Sequence, residues 1–281
     1  DYEEQIWSSN DDDDDKINRT TPSINNLIEP TLAQAVQNTW DTPTIQNEAI
    51  IHSLWKEMPG SNGNLYTTPF LTQDGILYLR QELAKVSASG IPTRRPNGMN
   101  RYGLILDETV DGAVHLSTLT SFTEKLVEEY VRPIGRMLFP EYIGEEDDDV
   151  ESYPFVIRYK LGEDVMLKEH RDASVVTINV NLNLEEEEYG GSSLYFVMGG
   201  EEEDSSLSSV RHNVTFSPGM AVMHCGALRH AALPIEAGER HNLVIWLFGK
   251  GGEVRIAPYS KEEQLSVEER WTKREVKPFF L

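Results

Sequence analysis

A chain of 281 residues can enclose one large core, or a core with a helical layer beside it. Its formal net charge of −22 repels phosphate backbones and argues against a nucleic-acid partner. No apolar run approaches the roughly 20 residues that span a bilayer, and the one cysteine, Cys225, rules out an internal disulfide and fits a reducing compartment. The start, DYEEQIW, lacks signal-peptide character, but a targeting segment can be removed upstream, so the compartment stays open.

Residues 1–25 are polar and acidic and are predicted to be a flexible N-terminal segment. Residues 26–150 are predicted as a mainly helical support region packed on the core. Within it, 26–57 is helical in pattern but broken by Pro30 and Pro43, and 60–64 is a turn-rich loop. Residues 72–87 are amphipathic, with Ile76, Leu77, Leu79, Leu83 and Val86 near helical spacing. A Pro- and Arg-rich stretch follows, then a short strand at 102–106 and a helix at 119–138 interrupted at Pro133. From 151 to 281 the texture changes. Runs rich in Val, Ile, Tyr and Phe at 155–159, 175–182, 193–197, 220–224 and 242–248 read as strands between Gly- and charge-rich turns. Residues 260–271 read as a C-terminal helix. The acidic runs at 11–15, 145–149, 185–188 and 201–204 read as solvated loops. The expected fold class is α+β, a jelly-roll core with flanking N-terminal helices in one structural domain.

The chemistry is concentrated in the strand-rich part. His170 and Asp172 are two residues apart, so in a strand or at its end they point to one side. They can offer one imidazole and one carboxylate to a metal. His230 follows a later strand and completes two histidines and a carboxylate, the donor set of non-heme iron(II) oxygenases, with positions left open on one side of the ion. His224 competes for the third place. His230 is preferred because Arg240 lies ten residues beyond it, at the start of the next strand. A guanidinium there can grip the far carboxylate of a dicarboxylate co-substrate.

These residues carry a resemblance. Phe155-Val-Ile-Arg-Tyr159-Lys, His170-Arg-Asp172-Ala-Ser, Thr177-Ile-Asn-Val-Asn181-Leu-Asn and Tyr189-Gly-Gly resemble the prolyl/lysyl hydroxylase branch of the 2-oxoglutarate oxygenases, the catalytic domain of procollagen lysyl hydroxylases in particular. Arg229-His230-Ala-Ala-Leu-Pro-Ile, Asn242-Leu-Val-Ile-Trp246 and Arg95-Pro-Asn97-Gly-Met-Asn100-Arg-Tyr102-Gly look more like a plant and algal group of the same class. The resemblance spans 95–248 with gaps. It implies a double-stranded β-helix, with His170, Asp172 and His230 as iron(II) ligands and Arg240 as the partner of the 2-oxoglutarate 5-carboxylate. Tyr159 and Asn181 match positions that contact the co-substrate, and His224 is placed to orient a ligand or close the pocket. Oxygen is the second co-substrate, and ascorbate is an optional reductant. The implied reaction couples oxidative decarboxylation of 2-oxoglutarate, to succinate and carbon dioxide, to oxidation of an unactivated C–H bond. The single cysteine and the acidic insertions at Glu185 and Glu201 depart from collagen hydroxylases.

Arginines gather in the site segments, at Arg94, Arg95, Arg101, Arg158, Arg171 and Arg229 besides Arg240. Arg95, Arg101, Arg158 and Arg171 are candidates to bind an anionic substrate, Asn97, Asn100 and Tyr102 are candidates to line the entrance, and His224 is a further candidate for substrate contact. Three readings follow. One is an oxygenase of free or peptidyl proline or lysine. Another is an enzyme of specialised metabolism that hydroxylates or oxidatively cyclises a small carboxylated molecule, as kainoid synthases do. The last is a binding module that keeps the fold without the reaction. An open groove favours a peptide, and a closed pocket lined by Arg101, Arg158 or Arg171 favours a small acid.

Overall fold

The computed structural model describes residues 22–90, 94–106, 117–143, 152–198, 210–214, 216–249, 253–254, 260–262 and 264–273. The acidic runs at 11–15, 145–149 and 201–204 and nearly all of 1–25 lie outside them. The architecture is the expected double-stranded β-helix with a helical layer.

Helix α1 (Pro30–Asp41) opens on its proline, where a missing N–H is harmless, and the Glu29 carboxylate caps the Leu32 N–H at 2.8 Å. Pro30 therefore starts a helix, and Pro43 separates α1 from α2 (Ile45–Leu54). Helix α3 (Gln73–Ser89) is capped by the Thr72 hydroxyl and ends on Gly90 in the left-handed region. The predicted interruption at Pro133 takes a different form. Helix α4 (Ser117–Leu126) passes through a π-turn at Val127–Val131 into α5 (Arg132–Leu138), so the path stays helical. Proline cannot donate to the carbonyl four residues back, that of Glu129, and the Trp40 indole N–H takes its place at 2.9 Å. The C-terminal helix is shorter than expected. Among the described residues of 260–271 only Val267–Arg270 is helical (α6), closed by a capping box from Ser266 and Glu269.

Strands β1 (Lys56–Glu57), β2 (Leu65–Pro69), β3 (Gly103–Ile105), β4 (Ser152–Lys160), β6 (Val176–Asn181), β10 (Met220–Cys225) and β13 (Glu239–Leu247) form a seven-stranded sheet in the order β1-β2-β10-β6-β13-β4-β3. A four-stranded sheet runs β5 (Leu167–His170), β11 (His230–Ala232), β8 (Leu194–Met198), β9 (Val210–Val214). A small pair joins β7 (Gly190–Gly191) to β12 (Ile235–Ala237). Within these sheets neighbouring strands run antiparallel.

Strand alternation assigns the two faces of the large sheet. Ile178, Val180, Ala221, Met223, Leu243 and Ile245 join a core with Leu32, Val36, Ile76, Leu79, Leu126 and Ile134 of the helices. The intervening Phe155, Ile157, Tyr159, Val222, Val244 and Trp246 turn inward, against Leu194, Phe196, Met198 and Ala232 of the small sheet. The inner face is not uniformly apolar. Thr177, Asn179, Asn181, Asn242 and Arg240 are buried there as well. Burying that many polar groups between two sheets is unfavourable unless partners are supplied.

Candidate metal centre

His170 ends β5 and His230 begins β11, and the two are direct cross-strand partners. Their rings lie 4.3 Å apart, and His230 also stacks on Phe196. Asp172 reaches the same point from the loop after β5. Its backbone N–H is tied to the Gly226 carbonyl at 2.9 Å, and the Gly226 N–H to that of Val175 at 2.8 Å. A side chain at 226 would put Cβ 2.0 Å from the Ser174 carbonyl oxygen, so only glycine allows this approach. One donor atom each from His170, Asp172 and His230 lies within 4.8 Å of the others, the one such cluster found among the described residues.

Each imidazole is oriented through its other nitrogen. His170 Nδ1 lies 2.7 Å from the Lys168 carbonyl, His230 Nδ1 3.0 Å from that of Leu228, and His224 Nδ1 2.9 Å from that of Cys225. A carbonyl only accepts, so each Nδ1 carries the proton and Nε2 faces Asp172. Burial pushes His230 down to about 4 and also lowers His224, against the opposing pull of Asp172. Burial is the largest single influence on His170 too and acts downward, but the bond to Asp172, the Asp172 charge and the Lys168 carbonyl together outweigh it and leave His170 above the usual imidazole value. Burial would raise the Asp172 carboxyl. The surrounding histidines and the Thr177 hydroxyl hold it far below the usual carboxylate range instead. The result is a carboxylate facing imidazole lone pairs, the donor chemistry a divalent transition ion takes.

A cavity runs inward from these residues. It is lined by Tyr159, Thr177, Asn179, Arg240, Val244 and Trp246, with Asn97, Met99 and Asn100 also on its wall. Arg240 is 0% exposed. One of its N–H groups (Nη1) donates to the Ser192 carbonyl, and its guanidinium lies 4.7 Å from the centre of the Tyr159 ring. Its Nε and Nη2 have no partner, nor do Ser192 Oγ, Asn242 Oδ1 and Trp246 Nε1. Burial pulls the guanidinium below its ordinary value, the Tyr159 and Tyr189 phenols opposing, but arginine keeps its charge in proteins. A buried cation with two orphan donors is unfavourable by itself and is suited to receive a carboxylate. The donor set at one part of the cavity and this cation at another fit a metal chelated by a keto acid whose second carboxylate meets Arg240.

The candidate residues divide. Tyr159 Oη accepts from Asn100 Nδ2 at 3.3 Å, and Asn97 accepts the N–H groups of Met99 and Asn100 at 2.8 Å each, which shapes the loop over the cavity. Asn181 stands behind the lining, donating to Tyr189 Oη at 3.1 Å and accepting the Asn183 N–H at 2.7 Å. His224 is 1% exposed, with Nε2 3.6 Å from Asp172. Arg158 points to the opposite face of its sheet and is forked onto Glu163 at 2.8 and 2.6 Å. There it borders a separate groove of about 880 Å³ with Arg80, Arg101, Tyr102 and His241. Arg95 and Arg171 are exposed. Arg229 meets Glu169 at 3.1 Å. Sequence reasoning did not single out Ser192, Asn242, Trp246, Thr177 and Asn179 as site residues. Four of them, Thr177 and Asn179 with Asn181 and Asn242 and Trp246 with Arg240, share a parity on their strands, and that was the available signal.

A family model described as an OGFOD2-like domain matches residues 19–144. The 2-oxoglutarate and iron-dependent oxygenase domain-containing protein 2 of Xenopus tropicalis is 31% identical over 228 residues, 80% of this chain and 60% of that protein. Procollagen-lysine,2-oxoglutarate 5-dioxygenase 1 of Rattus norvegicus is 34% identical over 137 residues, 47% of this chain and 17% of that protein. The chain thus spans 60% or less of each of these two curated relatives. A crystal structure of a prolyl 4-hydroxylase from Phytophthora capsici superposes with a TM-score of 0.51 at 14% identity, covering 78% of this chain and 67% of that one, a likeness of fold. These matches do not single out a plant or algal branch.

Proposed function

We propose that this chain, which has the fold of the 2-oxoglutarate- and iron-dependent oxygenases and sequence similarity to one of them over 80% of its length, is itself such an enzyme and oxidises a C–H bond of a prolyl or lysyl residue in a peptide. The observation that carries the reading is Arg240, a fully buried cation with two unpartnered donors in the cavity that His170, Asp172 and His230 border. His170, Asp172 and His230 would hold iron(II), and Arg240, with Tyr159 against its guanidinium, would hold the distal carboxylate of 2-oxoglutarate. Iron(II) with 2-oxoglutarate and oxygen supplies the oxidising power, releasing succinate and carbon dioxide. The protein's share is to fix the imidazole tautomers, to keep Asp172 ionised, and to keep water from the reacting carbon with the apolar walls of Phe155, Ile157, Leu194 and Val244.

The substrate class rests on charge. Among the described residues lining the cavity, Arg240 is the one guanidinium or ammonium group, and the co-substrate uses it. Arg101 and Arg158 border the other groove. A small carboxylated substrate would find no second cation among the described lining residues, whereas a peptidyl side chain needs none. The rat relative's name, a procollagen-lysine dioxygenase, agrees with a peptidyl substrate.

The test adds iron(II) and 2-oxoglutarate without oxygen and follows the visible charge-transfer band. The band is expected in wild type, lost in His170→Ala and weakened in Arg240→Ala. With oxygen, proline- or lysine-containing peptides should raise succinate release more than carboxylated small molecules do. A folded, metal-loaded wild type without the band would refute the oxygenase reading and favour a binding module. Stimulation by small acids alone would refute the peptide assignment.

A further inference from the structure

We propose that Thr177 sorts the two oxygens of Asp172, so that the carboxylate offers a metal one oxygen and not two. The inference rests on the metal reading above. The two oxygens lie in different surroundings. Oδ1 faces the other donors, 3.4 Å from His170 Nε2 and 3.6 Å from His230 Nε2. Oδ2 is held on the far side, where it accepts the Thr177 hydroxyl at 2.7 Å. A carboxylate only accepts, so the one Thr177 proton goes to Asp172, and the Ser174 hydroxyl, 2.7 Å away, donates to Thr177 in turn. The order of donors is thereby fixed from Ser174 through Thr177 to Oδ2.

His224 closes the remaining side. Its Nε2 lies 3.6 Å from the same Oδ2, and its ring stands edge-on to Phe196 at 5.0 Å and to His230 at 4.7 Å. Thr177, His224 and Trp246 form one row across β10, β6 and β13, so the sheet itself sets their spacing. Tilting the carboxylate until Oδ2 also faced His170 and His230 would break the Thr177 bond. It would pull Asp172 from a pocket in which its backbone is already tied to Gly226.

The consequence is a count of open positions. On a six-coordinate ion, two imidazoles and one carboxylate oxygen would fill three places and leave three, enough for a chelating keto acid and one further ligand. A two-oxygen carboxylate would leave two. Thr177 is on this account a positioning residue. It decides how many sites the metal keeps free and donates nothing to the metal.

Manganese(II) with the full chain tests this without turnover, through the relaxation of water protons at the bound ion. Thr177→Val should lower relaxivity per bound ion by about one third, as three exchangeable positions become two, and Thr177→Ser should match wild type. If Thr177→Val does not fold, Ser174→Ala, which removes the donor that aims the hydroxyl, should give a smaller fall in the same direction. Equal relaxivity in wild type and Thr177→Val, or a fall in Thr177→Ser as large as in Thr177→Val, would overturn the inference and leave the metal site standing. Wild-type protein that binds no manganese would overturn the metal reading and this inference with it.

Discussion

Arg240→Met is expected to abolish tight 2-oxoglutarate binding while leaving the ligand-free protein about as stable as before. In the free protein the guanidinium makes one hydrogen bond, to Ser192, and one ring contact, with Tyr159. A charged hydrogen bond contributes roughly 1.5–3 kcal/mol and the ring contact up to about 2. Against these stand Nε and Nη2, both buried without partners, each unfavourable by roughly 1–3 kcal/mol. Methionine removes both sets and keeps most of the apolar length, so the terms cancel to within about 2 kcal/mol. Ligand binding does not cancel in this way. Truncating one partner of a buried, hydrogen-bonded charge pair costs about 2–5 kcal/mol, or roughly 30-fold to several thousand-fold in Kd. The assay is thermal unfolding with manganese(II) present, without and with 2-oxoglutarate at about 100 times the wild-type Kd. Wild type should gain about 2.7 kcal/mol, a rise in Tm of roughly 5–10 °C. Arg240→Met should rise by at most about 3 °C. Equal shifts would refute the assignment. A loss of more than about 4 kcal/mol in the ligand-free variant would show Arg240 to be a structural tie.

Two further outcomes are expected. Gly226→Ala forces Cβ to 2.0 Å from the Ser174 carbonyl oxygen, so it should destabilise by about 2–4 kcal/mol in urea unfolding and weaken manganese(II) binding at least about 10-fold. Unchanged metal affinity would separate the loop contact from the metal site. His241 is lowered to about 4, chiefly by burial and then by the nearby Arg80 charge. The unfolded chain binds this proton below about 6.5 and the folded protein only below about 4, so stability is complete above 6.5 and declines as pH falls through that window. The decline is at most about 3 kcal/mol. His241→Gln should flatten the urea-midpoint profile between pH 4 and 6.5, and an unaltered slope would rule His241 out as its source.

Much of this arrangement was readable because strands and spacing are simple rulers. His170 and Asp172 share a side, and His230 and Arg240 follow at the starts of later strands, so their convergence in one cavity region could be anticipated. The same ruler, applied to β4, separates Arg158 from its neighbours. Phe155, Ile157 and Tyr159 occupy the inner face, which sends Arg158 outward. The expectation grouped residues by nearness in sequence and so let parity slip. Other features had no local signal. Ser192 presents its carbonyl to Arg240 because it adopts φ 54° after Gly191 at φ 73°, a turn that depends on pairing with β12. Strand β2 is short, ends in Pro69 and pairs with the distant β10, Pro69 against Met220 and Leu65 against His224, so only tertiary pairing marks it as a strand. The exchange of a backbone donor for the Trp40 indole at Glu129 is equally invisible before the helices are packed.

Strand β13 serves two compartments at once, since Leu243, Ile245 and Leu247 belong to the helical core while Arg240, Val244 and Trp246 belong to the cavity. An insertion or deletion of a single codon within 239–247 would exchange these sets, placing a guanidinium among leucines and leucines against His170, Asp172 and His230. Substitution can therefore retune this strand one position at a time, but a change of length cannot. Diversification by lengthening or trimming is left to the turns, such as the acidic one at Glu185 to Glu188, whose residues lie outside both compartments.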